Sequence, residues 1–88
     1  MLASVLPVYS YRWRPEVQPI QTISALNQWM KEYARTHGEV YLDYYSAMVD
    51  EKLGLRSDLS PDGVHPNEAG YRLMAPLTVA AIQEALRK

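Results

Sequence analysis

Asp62 and His65 stand three residues apart in the run Ser60-Pro61-Asp62-Gly63-Val64-His65-Pro66-Asn67. An imidazole can lose and regain a proton near neutral pH, and a carboxylate on its far nitrogen fixes the tautomer and stabilises the imidazolium. Gly63 permits the tight turn that folds the carboxylate back towards the ring, Pro66 stiffens the exit, and Asn67 suits a helix cap. The spacing alone leaves a plainer reading equally open, a turn acid followed by a helix-capping histidine.

A nucleophile for such a pair is harder to find. Ser10 follows the first apolar run, Ser46 follows the second, and Ser60 lies two residues before Asp62, where it reads as a turn former. None sits on the sharp strand-to-helix turn that usually presents a nucleophile. Tyr11 and Trp13, with Tyr9, Arg12 and Arg14, either line an acyl or sugar pocket or cover the core; the second reading is favoured, because aromatic loops serve both ends. Asp43 either lines the mouth of the site or caps the next helix. His37 precedes Gly38 at a helix end, where a cation complements the dipole. Two distant histidines and no cysteines make no metal cluster, so neither a metal nor a cofactor is expected.

The elements that must hold these residues can be read from periodicity. Leu2 to Val8 is a short apolar run ended by a proline, Pro7, the type of strand buried on both faces of a parallel sheet. Residues 9–19 form a long loop with two prolines, three aromatics and two arginines. Ile20, Ile23, Leu26, Met30, Tyr33 and Ala34 then recur at helical steps, with Pro19 in the first turn and Gly38 as the stop. Glu39 to Asp43 is a second strand. Strand, helix and strand with tight joints make a right-handed βαβ unit with two short parallel strands. A short helix over Tyr44 to Lys52 should end at Gly54. The last helix should run from about Asn67 to Leu86, with Tyr71, Met74, Leu77, Thr78, Ala81 and Ala85 on one side and a kink or break near residues 72–76 caused by Pro76.

This order places Asp62 and His65 beyond the carboxyl ends of the strands, where ligands bind in open α/β folds. With 88 residues the chain is a single small domain or a piece of a larger one, and its core should be marginal. Nine basic and ten acidic side chains give a net charge of −1, which offers no basic stripe for nucleic acid. Leu73 to Ile82 is well short of the ~20 apolar residues that span a bilayer, and Met1 to Tyr9 lacks the features of a signal peptide. A soluble chain is expected, with no membrane or nucleic-acid partner, from a parent either cytoplasmic or exported. Seven tyrosines and two tryptophans without phenylalanine place many aromatics at boundaries, where their polar tips find partners.

Ser60 to Tyr71 (SPDGVHPNEAGY) resembles the last conserved block of the SGNH, or GDSL-type, hydrolases, a family of esterases, lipases and acylhydrolases. The Leu2 to Pro7 strand, the long loop, the helix with Leu26-Asn27 and the strand ending in Leu42-Asp43 agree with that family's C-terminal half, so the likeness covers essentially the whole chain. It implies the second half of a flavodoxin-like three-layer α/β/α domain. It also implies that His65 is the general base and Asp62 its orienting carboxylate in a Ser–His–Asp triad. The family's nucleophile lies in a Gly-Asp-Ser block, and no Gly-Asp-Ser occurs here; the blocks that supply the oxyanion-hole Gly and Asn are missing too. The resemblance therefore implies an ester hydrolase acting on a small ester or an acetylated carbohydrate, with half of its triad in this chain. The alternatives are a non-catalytic, self-associating module (a homodimer or higher oligomer) and a half-domain that regains activity when the missing N-terminal half is added.

Overall fold

The structure is a computed structural model and describes residues 1–9 and 19–87. In chain order these form strand β1 (Leu2–Ala3), helix α1 (Pro19–His37), strand β2 (Tyr41–Leu42), helix α2 (Tyr44–Met48), a 3-10 turn (Ser57–Leu59) and helix α3 (Glu68–Leu86). β1 and β2 are parallel, with Leu2 opposite Tyr41 and Ala3 opposite Leu42. The α/β class and the parallel pair joined by a helix are as the periodicity requires.

Successive residues of a strand face opposite sides. Val40 and Leu42 pack on Ala81, with Leu77 and Ala85 of α3 around them. Tyr41 and Asp43, between and after them, border Gln28, Ala34 and Arg35 of α1. The two long helices therefore cover opposite faces of the sheet. A second cluster lies past the strands and joins Met48, Leu55 and Leu59 to Leu6, Leu73 and Met74. Met48 is fully buried, and such a side chain contributes about 1.5–3 kcal/mol through burial. α3 thus begins beside the residues that follow β1 and ends beside Val40. Its amino terminus lies at the carboxyl ends of both strands.

Several elements depart from the periodic reading. The Leu2 to Val8 run pairs over two residues only, because β2 gives way at Asp43 to the cap of α2. Past Ser4, the backbone of Val5 bonds instead to the side chain of Asn27: its N–H donates to Oδ1 and its carbonyl accepts from Nδ2, each at 2.8 Å. α2 stops at Met48, not at Gly54. Val49 bridges antiparallel to Leu55, and Asp50 Oδ1 accepts the amides of Lys52 and Gly54, closing a turn in which Leu53 takes φ +67°. Gly54 is needed for packing: a Cβ there would collide with the ring of Tyr9.

The inner faces also shift. On α1 the buried residues are Pro19, Ile23, Asn27 and Ala34. Leu26 and Tyr33 are exposed, as is Trp29. On α3 Tyr71 is exposed and Gly70 is buried in its place. α3 shows no break: it is helical through Pro76, whose ring removes one backbone bond without ending the helix. No helix among the described residues is long and apolar enough to cross a membrane.

Candidate active site

The 3-10 turn ends at Ser60, which is extended and buried. The chain then folds back on itself through Asp62 and Gly63, the latter at φ +78°. Asp62 Oδ1 accepts the backbone amides of Val64 at 2.9 Å and His65 at 2.8 Å. This Asx-type turn fixes the carboxyl rotamer, and its second oxygen, Oδ2, lies 2.8 Å from His65 Nδ1. The backbone amide of His65, its ring, and the amide of Val64, in that order, hold the Asp62 carboxyl well below the usual carboxylate range.

An ionised carboxylate only accepts hydrogen bonds, so Nδ1 must carry the hydrogen that joins the pair. In the neutral ring this leaves Nε2 unprotonated and able to take a proton. The imidazole is 71% exposed, against 33% for the Asp62 side chain. The ring therefore presents Nε2 outward while the carboxylate stays partly covered behind it.

The exit from the turn is held as firmly. Asn67 caps α3, its Oδ1 accepting the Gly70 amide at 2.9 Å while its Nδ2 donates to the Asp58 carbonyl at 3.2 Å. Its own amide donates to the Leu59 carbonyl at 2.7 Å. Gly70 lets this carbonyl lie under the first turn, for a Cβ there would stand 2.8 Å from Leu59 O and 2.9 Å from Pro66 Cβ. A glycine inside a helix costs roughly 0.5–1 kcal/mol relative to alanine, and that cost was the available signal of a close approach at this position.

The serines are placed as follows. Ser46 lies in α2, with its hydroxyl donating to Asp43 Oδ2 at 2.6 Å and its amide to Oδ1 at 3.0 Å; Asp43 is thereby the cap of α2. The Ser60 hydroxyl is engaged inside the turn, 2.8 Å from the carbonyl of His65. Neither serine is hydrogen-bonded to the imidazole. Ser10, Tyr11 and Trp13 lie outside the described residues. His37 stacks on Tyr33 with ring centroids 3.9 Å apart, and its Nδ1 lies 2.9 Å from the Tyr33 carbonyl at the end of α1. It takes no part in the site.

The profile of the GDSL-like lipase/acylhydrolase family matches residues 1–73, a span that includes Asp62 and His65. The chain belongs to this family. It superimposes on an acylhydrolase-type protein of Bacteroides fragilis with TM-score 0.91 and 37% identity, covering 97% of this chain and 42% of that one. A GDSL-like lipase of Bacteroides thetaiotaomicron gives 0.90 and 37%, over 96% of this chain and again 42% of the other. A diglucosylglycerate octanoyltransferase of Mycolicibacterium hassiacum is 39% identical over 54 residues, or 61% of this chain and 22% of the relative. The GDSL-like chain thus spans less than half the length of each of these proteins.

Proposed function

We propose that this chain supplies the proton-transfer pair of a GDSL-type acylhydrolase, acting on a serine hydroxyl that the rest of such a domain provides. The observation that carries this reading is the 2.8 Å contact between His65 Nδ1 and Asp62 Oδ2, with the imidazole otherwise open to solvent. In the reaction, Nε2 accepts the serine proton as the oxygen attacks the ester carbonyl, and the Asp62 carboxylate stabilises the imidazolium. The same proton passes to the departing alkoxide, leaving an acyl-serine and a free alcohol. A water molecule, activated by the neutral ring, then releases the acid and regenerates the serine. A sugar hydroxyl in place of that water would make the reaction an acyl transfer, the activity named for the Mycolicibacterium relative. Short acyl esters and acetylated carbohydrates are the substrates proposed first.

A chimera tests this. The matched 42% of the Bacteroides fragilis protein is replaced by residues 1–88 of this chain, and hydrolysis of p-nitrophenyl acetate and octanoate is measured. The chimera should be active. His65→Ala should lower kcat by about 10³-fold or more, because without a base the serine stays a weak nucleophile. A folded chimera whose rate is unchanged by His65→Ala would sink the proposal.

We also propose that the isolated chain associates, as a homodimer or higher oligomer, until the rest of a domain replaces the second copy. Leu2 donates its amide to the Val40 carbonyl and Ser4 to that of Leu42, so in a parallel ladder the amide and carbonyl of Ala3 point to the edge that pairs with no strand among the described residues. Tyr71, Val79, Ile82 and Leu86 leave an apolar stripe on the outer side of α3. Light scattering checks this: a stable folded monomer at micromolar concentration would contradict it.

A further inference from the structure

We infer that Ser60 is a positioning residue for the Asp62–His65 pair and acts through the backbone that carries them both. The inference rests on the reading of that pair as a proton-transfer device. Ser60 is 5% exposed, one of three buried polar residues in the described chain. Its hydroxyl meets three groups of the same turn: the His65 carbonyl at 2.8 Å, the Gly63 amide at 2.9 Å and Asp62 Oδ1 at 3.2 Å.

A hydroxyl has one hydrogen to give and two lone pairs. The closer acceptor, the His65 carbonyl, takes the hydrogen, while a lone pair receives the Gly63 N–H. One buried oxygen therefore ties the start of the turn, at Ser60, to its middle and its end, so that Asp62, whose carboxylate must reach the ring, is enclosed between fixed points. Asp62 Oδ1 is already filled by the amides of Val64 and His65, and these amides are in register only while the turn keeps its shape. With that shape held, Oδ2 faces Nδ1. Without it the carboxyl and the ring, 33% and 71% exposed, are free to turn to water separately. The hydroxyl cannot serve as the nucleophile while it plays this part, since its hydrogen is committed to the His65 backbone carbonyl.

The test compares Ser60→Thr with Ser60→Val, which share a shape and differ by the hydroxyl. Long-range proton–nitrogen correlation spectra of the 88-residue chain report which ring nitrogen of His65 carries the hydrogen. Wild type and Ser60→Thr should hold the Nδ1–H tautomer, and Ser60→Val should move several-fold towards Nε2–H, as should Asp62→Asn. In the chimera, Ser60→Val should lower kcat by about 10- to 100-fold with KM little changed, the mark of a misplaced base. An unaltered tautomer in a folded Ser60→Val chain would overturn the inference. Should that variant fail to fold, hydrogen exchange on the wild type decides: the Gly63 amide must be as protected as those of Val64 and His65, and free exchange there defeats the clamp. These tautomer and exchange readouts need no esterase activity, so their failure is separable from failure of the proposed function.

Discussion

Asn27 of α1 and Val5 form a closed two-bond ring: the side-chain amide of one satisfies both backbone groups of the other, each at 2.8 Å. Asn27 is 4% exposed. Its amide stands in for the next strand residue of a neighbour and lets the chain leave the sheet without orphaning a donor and an acceptor. The helix is thereby registered against the segment that leads from β1 to the mouth of the site.

Replacing Asn27 by alanine should cost about 1–3 kcal/mol, since both Val5 groups lose their partner in a half-buried place. Asn27→Asp should cost a similar amount, because it keeps the acceptor but sets a second oxygen against the Val5 carbonyl. Urea denaturation of the three chains checks this. An unchanged midpoint for Asn27→Asp would mean that the donor half of the ring contributes nothing.

Gly70→Ala puts a methyl 2.8 Å from the Leu59 carbonyl and 2.9 Å from Pro66 Cβ, both on the segment that carries the pair. The neighbours are backbone and a proline ring, which cannot rotate away. The variant should lose about 1–3 kcal/mol of stability and shift the resonances of residues 59–66, whereas Ala75→Gly on the exposed side of α3 should leave them in place. Unperturbed shifts in a stable Gly70→Ala chain would contradict the close approach.

The parts of this molecule that obey local rules were legible before its structure. Pro19 and Gly38 bound α1, the latter at φ +67°, and the Asp62-Gly63-Val64-His65 turn folds as its residue types require. What was not legible depends on partners distant in sequence. Asn27 is inside, while Leu26 and Tyr33 are outside, because the Asn27 partner is 22 residues away; periodicity ranks apolarity and cannot see that bond. Gly70 displaces Tyr71 from the inner face because the Leu59 carbonyl lies there. Gly54 reads as a helix stop but accommodates Tyr9, 45 residues earlier in a chain of 88. Ser60 reads as a turn former, and only coordinates show its hydroxyl shared among three groups.

Acid should leave the pair intact further down the pH scale than an ordinary carboxylate allows. The Asp62 carboxyl is lowered from its usual 3.8 by the bonds it accepts in the fold. A depressed carboxylate stabilises the native state fully at pH values above the unfolded one, and this contribution is lost progressively as pH falls from there through the native value. Carbon-detected titration of the Asp62 carboxyl should therefore place its midpoint well below 3.8, and the Val64 and His65 amides should keep their shifts until that point. A midpoint in the ordinary range would show that the turn does not hold the carboxylate.

Gly63 and Gly38 offer a matched pair for separating backbone strain from site geometry. Both hold positive φ, +78° and +67°, and a Cβ at either would meet nothing within 4 Å. An alanine at each therefore carries the left-handed penalty alone, about 1–2 kcal/mol. Thermal or urea unfolding should show the two variants equally destabilised. Their effects on the site should differ. Gly38 closes α1 before β2, so Gly38→Ala should leave the His65 ring signals and, in the chimera, kcat unchanged. Gly63→Ala relaxes the turn itself, so the Ser60 and Asp62 bonds on either side lose register and both the tautomer and kcat should move. Equal stability loss with no change at His65 in either variant would show that the ring is held by something other than this turn.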